Sequence, residues 1–246
     1  MVVETMSGGR PTTVAILCGG RGTRLQEHSQ SIPKPLVEIG GRPILWHVMQ
    51  IYASQGYRRF VLCTGYRGES IAEFVEGERW PAGVEVRCED TGLDTPTGGR
   101  IARVRGLLED GTCAVTYGDG VADVDLGALA DFHAERGRLA TMTVVRPELQ
   151  FGVAELDGEG LVTGFTEKPR LESWINGGFF CLEPGALDYI ATDSVLERDP
   201  LEGLAADGQL AAYRHAGFWD CMDTYKDAVA LNDLWAAGSA PWNTWS

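Results

Sequence analysis

Apolar runs rich in β-branched residues alternate, through the first half of the chain, with segments whose apolar positions recur at helical spacing. "TVAILC" from Thr13 predicts a buried strand. "PILWHVMQIYASQG" from Pro43 predicts a helix with proline in its first turn and Gly56 at its end. Strand "RFVLCTG", helix "ESIAEFVEG", strand "VEVRCE", helix "GRIARVRGLLE", strand "TCAVTYGDG" and helix "DLGALADFHAERG" follow in that order. Such alternation implies an α/β fold: a Rossmann-like, mainly parallel mixed sheet with helices on both faces. Ligands of such sheets bind outside the carboxyl ends of the strands, so the loops that follow the strands matter most.

The second half is less regular. "LATMTVV", "GVAELD", "LVTGFTEK" and "WINGGFFCL" read as strands, several of them antiparallel or mixed with the central sheet, and "DTYKDAVALNDLWAAG" reads as a C-terminal helix. No repeat or low-complexity linker divides the chain. The expected organisation is a flexible leader over residues 1–12 and a single domain over 13–246, ending in a Trp-containing tail after Gly238.

Composition narrows the function. The 246 residues are 44% hydrophobic, enough for a full core, and carry a formal charge of −14. That acidic balance argues against nucleic-acid binding, which needs a basic surface. No apolar run approaches the roughly 18 residues of a membrane span, and "MVVETMSGGR" lacks the apolar centre of a signal peptide, so no membrane partner and a cytoplasmic address are expected. The six cysteines are scattered, without C-x-x-C spacing, and read as buried free thiols. The four histidines (His28, His47, His133, His215) read as structural or solvated.

The cations are few and unevenly chosen. Only three of the 21 basic residues are lysines: Lys34, Lys168 and Lys226. In so arginine-biased a chain, a lysine invites a search for a site that needs a compact ammonium rather than a planar fork. Lys34 and Lys168 each precede a proline, in "IPKPL" and "TEKPR". The first strand runs into "CGGRGTRL", a glycine-rich turn placed where backbone N–H groups can converge on an anion. It is not a Walker loop, and Leu25 stands where the dinucleotide fingerprint needs its third glycine.

"GGRGTRL" followed by "PKP", then "VEIGGRPILWHVM", "TPTGGR", "TYGDG", "FTEKP", "INGGFF" and "GFWDCMDT", resembles the sugar-1-phosphate nucleotidylyltransferases in order over nearly the whole chain. The resemblance implies the nucleotide-diphospho-sugar transferase fold and transfer of a nucleotidyl group from an NTP to a sugar 1-phosphate, with Mg²⁺ as cofactor and a homo-oligomeric assembly. "KPLVEIGGRPILWH", "GDGVAD" and "MDT" favour the cytidylyltransferase branch, with CTP and α-D-glucose 1-phosphate as partners. Another NTP, another sugar such as a heptose, or a silent NDP-sugar-binding regulator are the alternatives; the last is opposed by the presence of Lys34, Asp119, Lys168 and Asp223.

Carried over by motif, the resemblance assigns Leu17, Cys18, Gly19, Gly20, Arg21, Gly22, Thr23 and Arg24 to the nucleotide. Arg24 would lie over the triphosphate and Lys34 beside the α-phosphate. Thr95, Gly98, Gly99 and Arg100 would form the base-binding segment, and Gly118 would face the nucleoside sugar. Asp119 and Asp223 would be the metal ligands. Gly152, Glu167, Lys168, Asn176 and Gly177 would hold the sugar phosphate. The catalytic set implied is Arg24, Lys34, Asp119, Lys168 and Asp223.

Elementary chemistry fits this set. Mg²⁺ is satisfied by one or two carboxylates completed by substrate phosphates and water. A phosphate monoester loses its second proton near pH 6, so the nucleophile needs no general base, and no histidine stands in the motifs. Each residue also has a plainer reading: Asp119 as a turn aspartate, Asp223 as a helix N-cap, Glu167 as a surface ion-pair partner. The chain departs from the family in a short segment between Phe74 and Thr91, in Pro96 of "TPTGG" and in "WDC" before Met222.

Overall fold

A computed structural model describes residues 10–22 and 32–245. Its centre is a seven-stranded sheet of order β12-β8-β11-β6-β1-β4-β5. The parallel half is built from β1 (Thr13–Leu17), β4 (Arg59–Thr64), β5 (Glu85–Asp90) and β6 (Cys113–Tyr117). Beyond β6, β11 (Ile175–Leu182) runs antiparallel to both β6 and β8 (Ala140–Val145), and β12 (Leu210–Arg214) is a parallel edge strand beside β8. The mixed, mainly parallel sheet agrees with the strand and helix alternation of the sequence.

All five residues of β1 are buried, and the period of two divides them between the faces. Val14 and Ile16 join the core under α1 (Ile44–Ser54), α2 (Gly68–Gly77), α4 (Leu126–Arg136) and α6 (Tyr225–Ala236). Ala15 and Leu17 join the opposite core under α3 (Thr97–Arg103) and α5 (Asp199–Ala206). After β5 the chain crosses back over β4 and β1 to form β6, so the order of strand addition reverses at the β1–β6 pair. That reversal opens a crevice at the carboxyl ends of β1 and β6.

Two small two-stranded ribbons complete the site region: the hairpin of β2 (Glu38–Ile39) with β3 (Arg42–Pro43), and β7 (Gly120–Ala122) paired antiparallel with β13 (Trp219–Cys221) from far along the chain. A third, β9 (Val153–Leu156) with β10 (Val162–Thr166), stands apart from the main sheet and exposes Phe151, Leu156, Leu161, Val162 and Phe165. The sequence correctly marks these two strands but not their separation. The helix expected over 99–109 begins earlier, at Thr97, and gives way to a 3-10 turn at Arg105–Leu107. The half-exposed β12, the short β13 and α5 carry too little periodicity to be seen in advance.

Residues 1–9 of the expected leader lie outside the described residues, and the described ends of the chain contact the domain. Pro11 is buried and Arg10 pairs with Asp131 at 2.7 Å. Trp242 is fully buried, stacked on Phe218 and Trp235. Its Nε1 donates to His47 Nδ1 at 3.3 Å while His47 Nε2 donates to the Ile39 carbonyl at 2.9 Å, so the imidazole is held neutral. Among the described residues no helix is long and apolar enough to cross a membrane.

Burial pushes His47 down to about 4 from 6.5. A base whose folded pKa is lowered contributes stability above its unfolded pKa and loses it as pH falls toward the folded value. The protein should therefore weaken between pH 6.5 and 4, with a total loss from this residue on the order of 3 kcal/mol. Melting temperature measured from pH 7 to pH 5 should fall by several degrees, and the fall should be smaller in His47→Gln.

Candidate active site

The crevice is assembled from loops that follow strands. Gly118 N donates to the Leu17 carbonyl at 3.0 Å, which draws the ends of β1 and β6 together and places the Cys18–Gly22 loop beside the Asp119 turn. Gly22 has φ +59, and a Cβ there would lie 2.8 Å from Lys34 Cβ. Only glycine combines that left-handed backbone with so close an approach. The lysine absent from the glycine-rich loop is thereby packed directly against it.

Lys34 is the hub of the site. Its Nζ donates to Asp119 Oδ2 at 2.5 Å and to Asp223 Oδ1 at 2.6 Å, and its side chain is only 13% exposed. Burial alone would lower the pKa of this ammonium, but the charges and hydrogen bonds of Asp119 and Asp223 outweigh it and raise it. Three residues separated by 85 and 189 positions from Lys34 to its partners thus meet at one cation position.

Each aspartate is held by its backbone. Asp119 lies in the β6–β7 turn, and its carbonyl accepts from Met222 N at 2.9 Å, locking that turn to the β13 segment that leads to Asp223. Asp223 is not the N-cap of α6; that position belongs to Thr224, in a capping box with Asp227. Asp227 Oδ2 also accepts from Asp223 N at 3.1 Å and from Thr224 N at 2.7 Å, so the buried cap steadies the residue before the helix.

Arg100, expected at the nucleotide, is turned inward beneath the loops of the site. Its guanidinium is buried, at 4% exposure, beneath three loops. Nη2 donates to the Gly19 carbonyl at 2.9 Å, and Nη1 donates to the Thr64 carbonyl, the Gly92 carbonyl and Thr91 Oγ1 at 2.8–2.9 Å. No carboxylate pairs with it in these contacts; backbone oxygens replace its water. Gly98 and Gly99 are likewise packed inward, where Cβ atoms would meet Ser194 Oγ at 2.3 Å and the Thr192 carbonyl at 2.2 Å. Thr95 lies at the mouth of a shallow cleft of about 450 Å³ with Gly92, Leu93 and Pro96.

Lys168, half the chain away from Lys34, lines a cavity of about 680 Å³ with Arg146, Trp174, Trp219, Asp220 and Lys226. Lys168 holds a left-handed φ of 48, a strained setting for a residue with a side chain, of the kind that persists at functional sites. Gly152 lies against the Phe165 ring and the Glu167 carboxylate, so those two expected ligands adjoin. Trp219 Nε1 donates to the Gly177 carbonyl at 2.7 Å, fastening the cavity wall to the Asn176–Gly177 strand. Asp220 on this wall is pushed up to about 6 by burial. Thr23 and Arg24 lie outside the described residues.

Sequence reasoning missed Asp227, Trp219, Asp220 and Tyr117 as shapers of the site. The Thr-x-x-Asp spacing of a capping box in "TYKD" marks Asp227; the others sit inside quoted motifs without a spacing rule of their own.

A glycine-rich loop, a lysine shared by two strand-end aspartates and an adjoining cationic cavity define an α/β enzyme that handles phosphorylated substrates. The chain belongs to the nucleotidyl transferase family, whose model matches residues 13–237, and it is a nucleotidyltransferase. It is 42% identical over 257 residues to glucose-1-phosphate cytidylyltransferase of Salmonella typhimurium, covering 94% of this chain and 98% of that one. The Salmonella typhi glucose-1-phosphate cytidylyltransferase gives the same identity and coverage. A mannose-1-phosphate guanylyltransferase of Mycobacterium tuberculosis is 34% identical over 92% of this chain and 65% of its own length. The fold matches HddC from Yersinia pseudotuberculosis, with TM-score 0.72 and 24% identity over 91% of this chain and 99% of that chain.

Removing one well-placed charge from such a centre typically costs about 10² to 10³ in rate. Lys34→Ala, Asp119→Asn and Asp223→Asn should each lose pyrophosphate release by at least that factor while circular dichroism stays that of the wild type. Near-normal turnover in any of the three contradicts its place in the centre.

Proposed function

We propose that this protein transfers CMP from CTP to α-D-glucose 1-phosphate, giving CDP-glucose and pyrophosphate. The observation that carries the chemistry is the shared cation position of Asp119 and Asp223, occupied by Lys34 at 2.5 and 2.6 Å beside the Gly22 loop. The choice of CTP and glucose rests on the likeness to the two Salmonella enzymes of that name.

Two carboxylate oxygens converging on one cation form the donor pair that Mg²⁺ takes when substrate phosphates and water complete its shell, so Asp119 and Asp223 suit a Mg²⁺ ion. Bound there, Mg²⁺ would offset charge on the phosphates. The residues of the chain do the rest. Leu17 through Gly22, with Thr23 and Arg24, cradle the nucleotide; Lys34 neutralises the α-phosphate; Thr95, Gly98 and Gly99 border the base, with Arg100 fixing their loop to Gly19 from beneath. Gly118 leaves room for the ribose. Lys168, Glu167, Gly152, Asn176 and Gly177 hold the sugar phosphate. Its ionised oxygen attacks the α-phosphorus, and pyrophosphate leaves with the bonding electron pair.

The exposed apolar side chains of the β9–β10 hairpin favour a homo-oligomer. All six cysteines are unpaired, which suits a reducing compartment such as the cytoplasm.

The deciding experiment offers each of the common NTPs with a panel of sugar 1-phosphates and Mg²⁺, and reads released pyrophosphate. CTP with glucose 1-phosphate should give the highest kcat/KM. Turnover of a different pair, such as GTP with mannose 1-phosphate, overturns the substrates and keeps the chemistry; no turnover of any pair overturns both.

A further inference from the structure

A continuous hydrogen-bond chain runs across the crevice from the base loop to the sugar-phosphate strand. Thr97 Oγ1, at the start of α3, donates to Glu197 Oε2 at 2.7 Å. Tyr117 OH, at the end of β6, donates to Glu197 Oε1 at 2.5 Å. Asn176 Nδ2 donates to Tyr117 OH at 3.1 Å, and Asn176 Oδ1 accepts from Gly178 N at 2.8 Å. Both oxygens of one carboxylate are therefore bonded to hydroxyls, one from the start of α3 and one from the end of β6.

The chain is anchored at each end. Thr97 Oγ1 also accepts from Leu196 N at 2.9 Å, so Glu197 and the base loop are tied through adjacent residues. The pairing of β11 with β8 shifts register between Asn176 and Phe180, and irregularities of this kind re-aim side chains beside active sites. Within that shift Gly178 has φ +80, and a Cβ there would lie 2.7 Å from Tyr117 Cδ2. The Tyr117 ring thus rests on a strand segment that only glycine permits. Burial, with Glu197 beside it, raises the pKa of Tyr117, which keeps the phenol a donor to Glu197 and an acceptor from Asn176. Asn176 Nδ2 carries two hydrogens and spends one on Tyr117, leaving the direction of the other dictated by the chain.

We propose that Glu197 is a positioning residue that couples the two substrate subsites, setting the orientation of Asn176 toward the sugar phosphate through Tyr117 while holding the base loop through Thr97. The proposal rests on the reading of Asn176 as a sugar-phosphate ligand and of the Thr95–Gly99 segment as part of the nucleotide site. A carboxylate accepting two hydroxyl bonds gives stronger, more directional support than a neutral acceptor.

Steady-state kinetics on the full-length protein test it, with nucleotide and sugar 1-phosphate varied in turn. Glu197→Ala and Tyr117→Phe should each raise KM for the sugar 1-phosphate about tenfold, the effect of one lost hydrogen bond. Glu197→Gln, which keeps an acceptor, should recover most of the loss. Because both residues act through one chain, the Glu197→Ala/Tyr117→Phe double variant should be no worse than either single variant. Multiplying losses, about a hundredfold in the double variant, overturn the coupling, as does an unchanged KM with only a lowered melting temperature. Should Glu197→Ala not fold, Glu197→Met, which keeps the side-chain length and removes both acceptors, with Tyr117→Phe, which keeps the ring on Gly178, completes the same cycle with the same criterion. A wild-type protein inert toward every NTP and sugar 1-phosphate pair overturns the functional reading and this proposal together; an active wild type with multiplying losses overturns the proposal alone.

Discussion

The ammonium of Lys34 between Asp119 and Asp223 is the contact on which the site depends. It joins a segment after β1, the turn after β6 and the entry to the last helix, none of them neighbours in sequence. Two carboxylates at this spacing repel, and a single compact cation between them makes their approach favourable. A planar guanidinium would spread its donors across a wider fork. In a chain that uses arginine for 18 of its 21 basic residues, lysine stands here for a geometric reason.

Arg100 organises the other side of the crevice by the opposite means. Its desolvation is offset by the carbonyls of Gly19, Thr64 and Gly92, at the carboxyl ends of β1, β4 and β5. A buried charge with its hydrogen bonds removed on one side is costly, so the three loops are held to the arrangement that serves the guanidinium. The result is a positive charge beneath the glycine-rich turn, in a protein of net charge −14. Two of the cations of this acidic chain, Lys34 and Arg100, thus lie against the loop after β1, one packed on Gly22 and the other bonded to the Gly19 carbonyl.

The parallel half of the fold was legible because its strands are buried on both faces and read as continuous apolar runs, as in β1 and β4. The edge strand β12 and the three-residue β13 depend on pairing partners far away in sequence, and local pattern carries little of that. At the site, Lys34, Asp119 and Asp223 were named from motif order, and the structure brings them together. The inward role of Arg100, the packing reason for Gly98 and Gly99, and the chain through Glu197 were hidden, because each is defined by what the residue touches across 36 to 100 positions of sequence. Tail residue Trp242 was hidden for the same reason: its burial comes from His47, Phe218 and Trp235, not from its own neighbours.

Asp119 and Asp223 share one cation position, which Lys34 fills. Titrating Mn²⁺ into the protein without nucleotide, followed by electron paramagnetic resonance, tests it most directly. Lys34→Ala should bind Mn²⁺ at least tenfold more tightly than the wild type, and Lys34→Ala/Asp119→Asn should lose that gain. Equal Mn²⁺ affinity in wild type and Lys34→Ala, or a gain that survives removal of Asp119, would contradict it.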